Sequence, residues 1–143
     1  MTTNELLCVP DLEDLNKYLQ GGTRTPIIES ARQKVSDFKN LDDVTIVKEL
    51  LVWMHQYTRK IPLPTNKKKF KRSSLEILSS GIRTGCCDSC TLFTSLARSA
   101  GIPTMQILTF DKEWGDSLQT KKPKPTAGHF YAGVYLSRQM EYS

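Results

Sequence analysis

Residues 83–103, Arg-Thr-Gly-Cys-Cys-Asp-Ser-Cys-Thr-Leu-Phe-Thr-Ser-Leu-Ala-Arg-Ser-Ala-Gly-Ile-Pro, leave the chain little freedom. Leu92, Phe93, Leu96, Ala97 and Ala100 recur with helical period, and Gly101 with Pro103 behind it stops the run. The stretch reads as a helix that starts at a cysteine. The first turn of a helix leaves backbone N–H groups unpaired and carries partial positive charge, which favours thiolate over thiol, so a cysteine there is a better nucleophile than one in mid-helix. Gly85 allows a tight backbone approach at that helix end, and Gly101 supplies the left-handed residue that closes it.

A chain of 143 residues is long enough for one core but not two. Charged residues make up 24% and apolar ones 38%, which excludes both a membrane span and a disordered chain. The formal charge of +5 would suit an acidic partner, but much of it sits in one loop, so it does not indicate nucleic acid. Three of the four cysteines, Cys86, Cys87 and Cys90, fall inside five residues, with Cys8 apart. That is not a disulfide framework and argues for a reducing compartment. The first residues, Met-Thr-Thr-Asn-Glu-Leu-Leu-Cys, lack the pattern of a signal peptide, and the expected location is the cytosol.

The first half reads as helical. Asp11 can cap a short helix over about 12–20, ended by Gly21-Gly22, and Thr25-Pro26 is a second start signal for a helix running toward Phe38. Val44, Val47, Leu50, Leu51, Met54 and Tyr57 then mark an amphipathic helix with this face on the core, ended by Arg59-Lys60, Pro62 and Pro64. His55 in that helix reads as a partly exposed side chain without special role. Residues 65–72, Thr-Asn-Lys-Lys-Lys-Phe-Lys-Arg, form a basic loop, a solvated connection or a rim that attracts an acidic partner. Ser73-Ser74-Leu75-Glu76 is a capping box opening a helix that Gly81 stops at Ser80. Beyond the cysteine helix, residues 104–110 and 129–136 read as neighbouring antiparallel strands joined by a long connection, 111–128, which would act as a flap bringing Trp114 over the nucleophile.

Arg83-Thr84-Gly85-Cys86-Cys87, the helix ending Arg98-Ser99-Ala100-Gly101-Ile102-Pro103, the strand after it and His129 opening another strand together resemble the transglutaminase-like superfamily of papain-type cysteine enzymes. The resemblance covers the chain from about residue 43 to 136, with Tyr131 where the family usually shows Trp. It implies an α+β domain in which a helical N-terminal half precedes a nucleophile helix packed on a small antiparallel sheet. The whole of 1–143 would be that one domain, with 1–40 as a helical N-terminal extension. The family spacing Gly-x-Cys picks Cys87 as nucleophile and puts Cys86 on the variable position before it, while Cys90 reads as core or pocket wall. Arg83, Gly85, Cys86, Asp88, Trp114 and Tyr131 are the expected pocket residues.

Pairing Cys87 with His129 implies a thiolate–imidazolium pair that attacks an amide or ester carbonyl and passes through an acyl-enzyme, resolved by water in a hydrolase or by an amine in a transferase. The expected substrate is a peptide or protein amide bond, with no cofactor and no metal. The family's third residue, an Asp or Asn after the histidine's strand, has no counterpart: Glu141 is the sole carboxylate there. Either the chain is C-terminally incomplete, or Asp111 or Asp116 folds over, or the site is a dyad, or this is an inactive scaffold that binds a protein partner. Two other readings compete. Cys87-Asp88-Ser89-Cys90 is a C-x-x-C pair, but the βαβ pattern of a thioredoxin-like fold is missing upstream. Cys86, Cys87, Cys90 and His129 could supply four zinc ligands, but adjacent cysteines suit one tetrahedral site badly.

Overall fold

The cysteine segment forms the central helix, and every other layer packs on it. The structure is a computed structural model that describes residues 12–38, 40–61, 71–110, 112–120 and 128–136. In chain order the elements are α1 (Leu12–Lys17), α2 (Glu29–Val35) with a 3-10 turn (Ser36–Phe38), α3 (Asp43–Tyr57), β1 (Arg59–Lys60), α4 (Ser74–Ser80), β2 (Ile82–Arg83), α5 (Gly85–Ser99), β3 (Thr104–Phe110), α6 (Lys112–Ser117) and β4 (Gly128–Val134). This is an α+β architecture, as expected. Helices α2, α3 and α4 contact α5, and β3 and β4 cover another side of it.

Burial around α5 runs almost all the way round: Cys87, Asp88, 90–97 and Ser99 are buried. Five of these eleven residues are polar, and the hydroxyls of Thr91, Ser95 and Ser99 tie neighbouring elements to the helix. The Ser99 Oγ accepts from the backbone N–H of Ile28 at 2.9 Å and donates to the Ser95 carbonyl. Ser95 donates to the Ser74 hydroxyl at the start of α4, 2.7 Å away, and Thr91 accepts from Gln106 on β3 at 3.2 Å. Apolar packing fills the space between, with Ile46, Leu50, Ile77, Leu92, Leu96 and Ile102 at its centre. Ile28 and Ala31, from the segment expected as an extension, belong to the same core.

The long strands pair antiparallel in the register Thr104↔Val134 to Phe110↔Gly128, so His129 lies opposite Thr109. A second, smaller pairing was not expected. Arg59–Lys60 and Ile82–Arg83 form a parallel ladder, extended by the Arg59 N–H to the Gly81 carbonyl and the Ile61 N–H to the Arg83 carbonyl. It clips the exit of α3 to the entry of α5.

Several local expectations change in the fold. Thr25 does not cap a helix: its hydroxyl is buried and accepts from the Arg98 guanidinium at 3.1 Å, and α2 starts at Glu29 with Ile28 as the extended residue before it. The Ser73 hydroxyl does cap α4, accepting from the Glu76 N–H at 3.3 Å, and Gly81 ends that helix at φ +68°. Helix α5 begins one residue ahead of the cysteines, at Gly85 with φ +86°, a conformation that side chains other than glycine avoid. The connection 111–128 contains α6. Of the expected α3 face Val44, Val47, Leu50, Leu51, Met54 and Tyr57, Leu50 and Met54 are buried; Ile46 and Trp53 complete the core side, and Trp53 stacks obliquely on the exposed Tyr57. Asp11, residues 65–70, Asp111, Glu141 and the Trp114 side chain lie outside the described residues.

Candidate active site

Three elements frame a cavity of about 860 Å³. Val47, Leu51, Met54 and His55 of α3 form one wall, at steps of four, three and one residues, and Cys86, Ser89, Cys90 and Phe93 of α5 form a second at i, i+3, i+4 and i+7. Residues 129–132 and Val134 of β4 form the third. Val47, Leu51 and His55, with the edge of the buried Met54, are thus the α3 side chains that line this space.

The cavity brings together Cys86 and His129, with Arg83, Gly85 and Tyr131 also on its surface. Cys87 is turned away from it. Its side chain is 3% exposed, it is not part of the cavity lining, and its sulfur accepts from the Arg24 guanidinium at 3.6 Å. The reason is helical geometry: consecutive residues point about 100° apart, so only one of two adjacent cysteines can face a given side. Cys87 shares its side with Thr91 and Thr94, both fully buried, whereas Cys86 falls on the stripe with Ser89, Cys90 and Phe93. That stripe was present in the sequence as an i, i+3, i+4, i+7 set, and weighing it would have favoured Cys86.

Asp88 is also not in the cavity. It is buried behind the helix start, where one carboxylate oxygen accepts from the Thr84 N–H at 2.8 Å, the Thr84 hydroxyl at 2.6 Å and Arg72 at 2.9 Å. Arg72 donates further to the Ile82 carbonyl and the Ser80 hydroxyl. This network fixes the Thr84-Gly85 turn that presents Cys86. The end of the basic loop therefore serves the helix start.

Arg83 is held just as firmly. Its Nε donates to the Thr58 hydroxyl at 2.7 Å and its Nη1 to the Ser89 hydroxyl at 2.9 Å. Cys90 is buried against β4, where its thiol donates to the Tyr131 carbonyl at 3.2 Å, and burial pushes its pKa up despite hydrogen bonds with Thr94 and Gln106. His129 is exposed at the start of β4 and meets the Tyr131 ring edge-on, with centroids 4.6 Å apart. His55 lies exposed on the opposite wall, with Nδ1 2.7 Å from the Leu51 carbonyl. Among the described residues no carboxylate lines the cavity, Asp116 is exposed on α6 away from it, and no group of three or more side chains is arranged to hold a metal ion.

No family model and no curated protein matches this sequence. A solved structure does: a protein of Cytophaga hutchinsonii, provisionally assigned as a cysteine protease, superimposes with a TM-score of 0.51 at 16% identity. The fold is cysteine-protease-like. The match covers 90% of this chain and 40% of the other, so the chain spans about two fifths of the length of that neighbour. Among the described residues no helix is long and apolar enough to cross a membrane.

Proposed function

We propose that the chain is a cysteine-dependent enzyme of transglutaminase-like type that cleaves or transfers the acyl group at an amide bond of a peptide or protein, with Cys86 as nucleophile and His129 as its acid–base partner. The observation that carries this reading is the cavity shared by these two side chains. Cys86 takes the nucleophile's part in place of Cys87, because a buried thiol on the far side of the helix cannot meet a substrate. In the first half-reaction the Cys86 sulfur bonds to the carbonyl carbon, His129 gives a proton to the departing amine, and the C–N bond breaks. In the second, His129 takes a proton from water or an amine, which attacks the thioester and releases Cys86. The N–H of Cys86 itself lies in the first helical turn, where no intrahelical acceptor exists, and is available to the oxyanion.

Alkylation with iodoacetamide, with the modified residue located by mass spectrometry, tests the pair. Cys86 should react first among the cysteines, and His129→Ala should slow it about tenfold at neutral pH. Faster labelling of Cys87, or a rate indifferent to His129→Ala, would end the catalytic reading. The second reading is an inactive scaffold of the same fold that binds a protein partner. What favours it is the lack of a carboxylate beside His129 among the described residues, since losing the orienting group costs such sites orders of magnitude in rate.

A further inference from the structure

We propose that the cavity recognises a carboxylate on the acyl substrate, through Arg83 and Lys60. The inference rests on the reading of Cys86 as nucleophile and adds the class of substrate.

Arg83 is 5% exposed, yet it lines the cavity. A guanidinium cannot shed its charge inside a protein, and a buried charge is costly unless paired. Among the described residues Arg83 has no such pair. The ion pairs among the described residues are Arg32–Glu29 and Arg72–Asp88, and the two partners of Arg83 are neutral hydroxyls. Those hydroxyls occupy Nε and Nη1, which leaves Nη2 without a hydrogen bond among the described residues. No buried side-chain nitrogen or oxygen there lacks a partner, so Nη2 is not fully sealed from solvent.

Its surroundings are of one sign. Lys60 and Arg83 are register partners of the parallel β1–β2 ladder, so their side chains leave the same face, and both line the cavity. His55 and His129 add no negative charge, and the amino end of the 15-residue helix α5 opens into the same space at Gly85 and Cys86. With Arg83 Nη2 and the Lys60 ammonium as two cationic donors that no described residue engages, the match is a carboxylate taking one bond on each oxygen. Ser89, which anchors Arg83, is three residues from Cys86 on the cavity stripe. Three residues of helix rise by ~4.5 Å, so a carboxylate held by Arg83 beside Ser89 sits on the same wall as the nucleophile and belongs to the acyl part of the substrate.

The test compares two alkylating reagents of nearly equal size, iodoacetate and iodoacetamide. In both, the Cys86 thiolate forms an S–C bond and iodide leaves. At an ordinary thiolate the anionic reagent is the slower one, by like-charge repulsion. On the folded protein the ratio of the iodoacetate to the iodoacetamide rate at Cys86 should exceed that of the urea-unfolded chain about tenfold. Lys60→Gln and Arg83→Gln should each pull it back. Because Arg83 also holds Thr58 and Ser89, its loss can unfold the chain, and the exposed Lys60 carries the test independently. Equal ratios in the folded and unfolded chains would overturn the proposal. Its failure is distinguishable from that of the catalytic reading, which is read from the absolute iodoacetamide rate and its dependence on His129. Titration of glutarate into the Cys86→Ser protein, followed by histidine ring NMR, reads the anion site without the nucleophile. Saturable shifts with glutarate and none with glutaramide are expected. No saturation, or inorganic phosphate binding as tightly as glutarate, would overturn the carboxylate assignment.

Discussion

At the scale of single residues, the adjacent cysteines of α5 have three neighbours' worth of difference between them. Cys86 looks into an open cavity, the buried Cys87 toward the Arg24 guanidinium, and Cys90 into the back of β4. The pattern Arg-x-Gly-x-Cys, read linearly, picks Cys87, whereas the side-chain directions put Cys86 on the cavity. The side-chain spacing that does so depends on where the helix starts, and Gly85 at φ +86° sets that start one residue before the cysteines. Cys90 offers a pH test. Burial raises its pKa above the ordinary 9.0, so the folded state keeps the thiol proton where the unfolded chain releases it. The stability this contributes is complete below about pH 9 and is lost as pH climbs through the raised folded value. The urea midpoint should therefore fall between pH 8 and 10, and Cys90→Ala, although less stable at pH 8 for want of packing, should show a flatter decline. A parallel decline in the two proteins would mean that other groups govern the alkaline limb.

Among elements, the helices were readable and their facing was less so. The capping serine of α4, the glycine stops at Gly81 and Gly101 and the two long strands all follow from local backbone chemistry, which acts within a turn or two of chain. The two-residue ladder β1–β2 does not, because parallel pairing joins residues whose intervening chain says nothing of the match. The same holds for α2, whose start was misplaced when the Thr25 hydroxyl went to Arg98, 73 residues away. Long-range hydroxyl contacts of this kind also hold α5 to its neighbours. Ser99→Ala removes the acceptor of the buried Ile28 N–H, and an orphaned buried donor costs about 1–3 kcal/mol. Urea denaturation should show that loss, with unchanged cooperativity. Ser99→Ala as stable as the wild type would show that water reaches the Ile28 amide and that α2 is joined to α5 by apolar contact alone.

Across the whole molecule the proposed catalytic pair straddles a gradient of burial. Cys86 stands at the head of α5, the most buried element, whose flanks meet α2, α3, α4 and both long strands. His129 sits near the opposite extreme. Its partner Thr109 belongs to a strand whose buried end is Thr104 and whose residues from Gln106 to Phe110 are exposed, Leu108 and Phe110 at 54% and 55%. Amides whose hydrogen bonds are covered by few apolar side chains open locally at low free energy, while those of a central helix wait for global unfolding. Native-state hydrogen exchange should therefore find α5 from Thr91 to Ala97 protected to the level of global stability, and residues 106–110 and 129–131 exchanging far sooner. A ligand held by Arg83 and Lys60 that reaches across to the β4 wall would steady its weak end, while α5 is already protected to the global limit, so glutarate at saturation should slow exchange at 129–131 without altering α5. If the histidine end of the sheet already exchanges as slowly as the helix, the two halves of the site are equally rigid in the free protein, and substrate binding has no ordering left to do there.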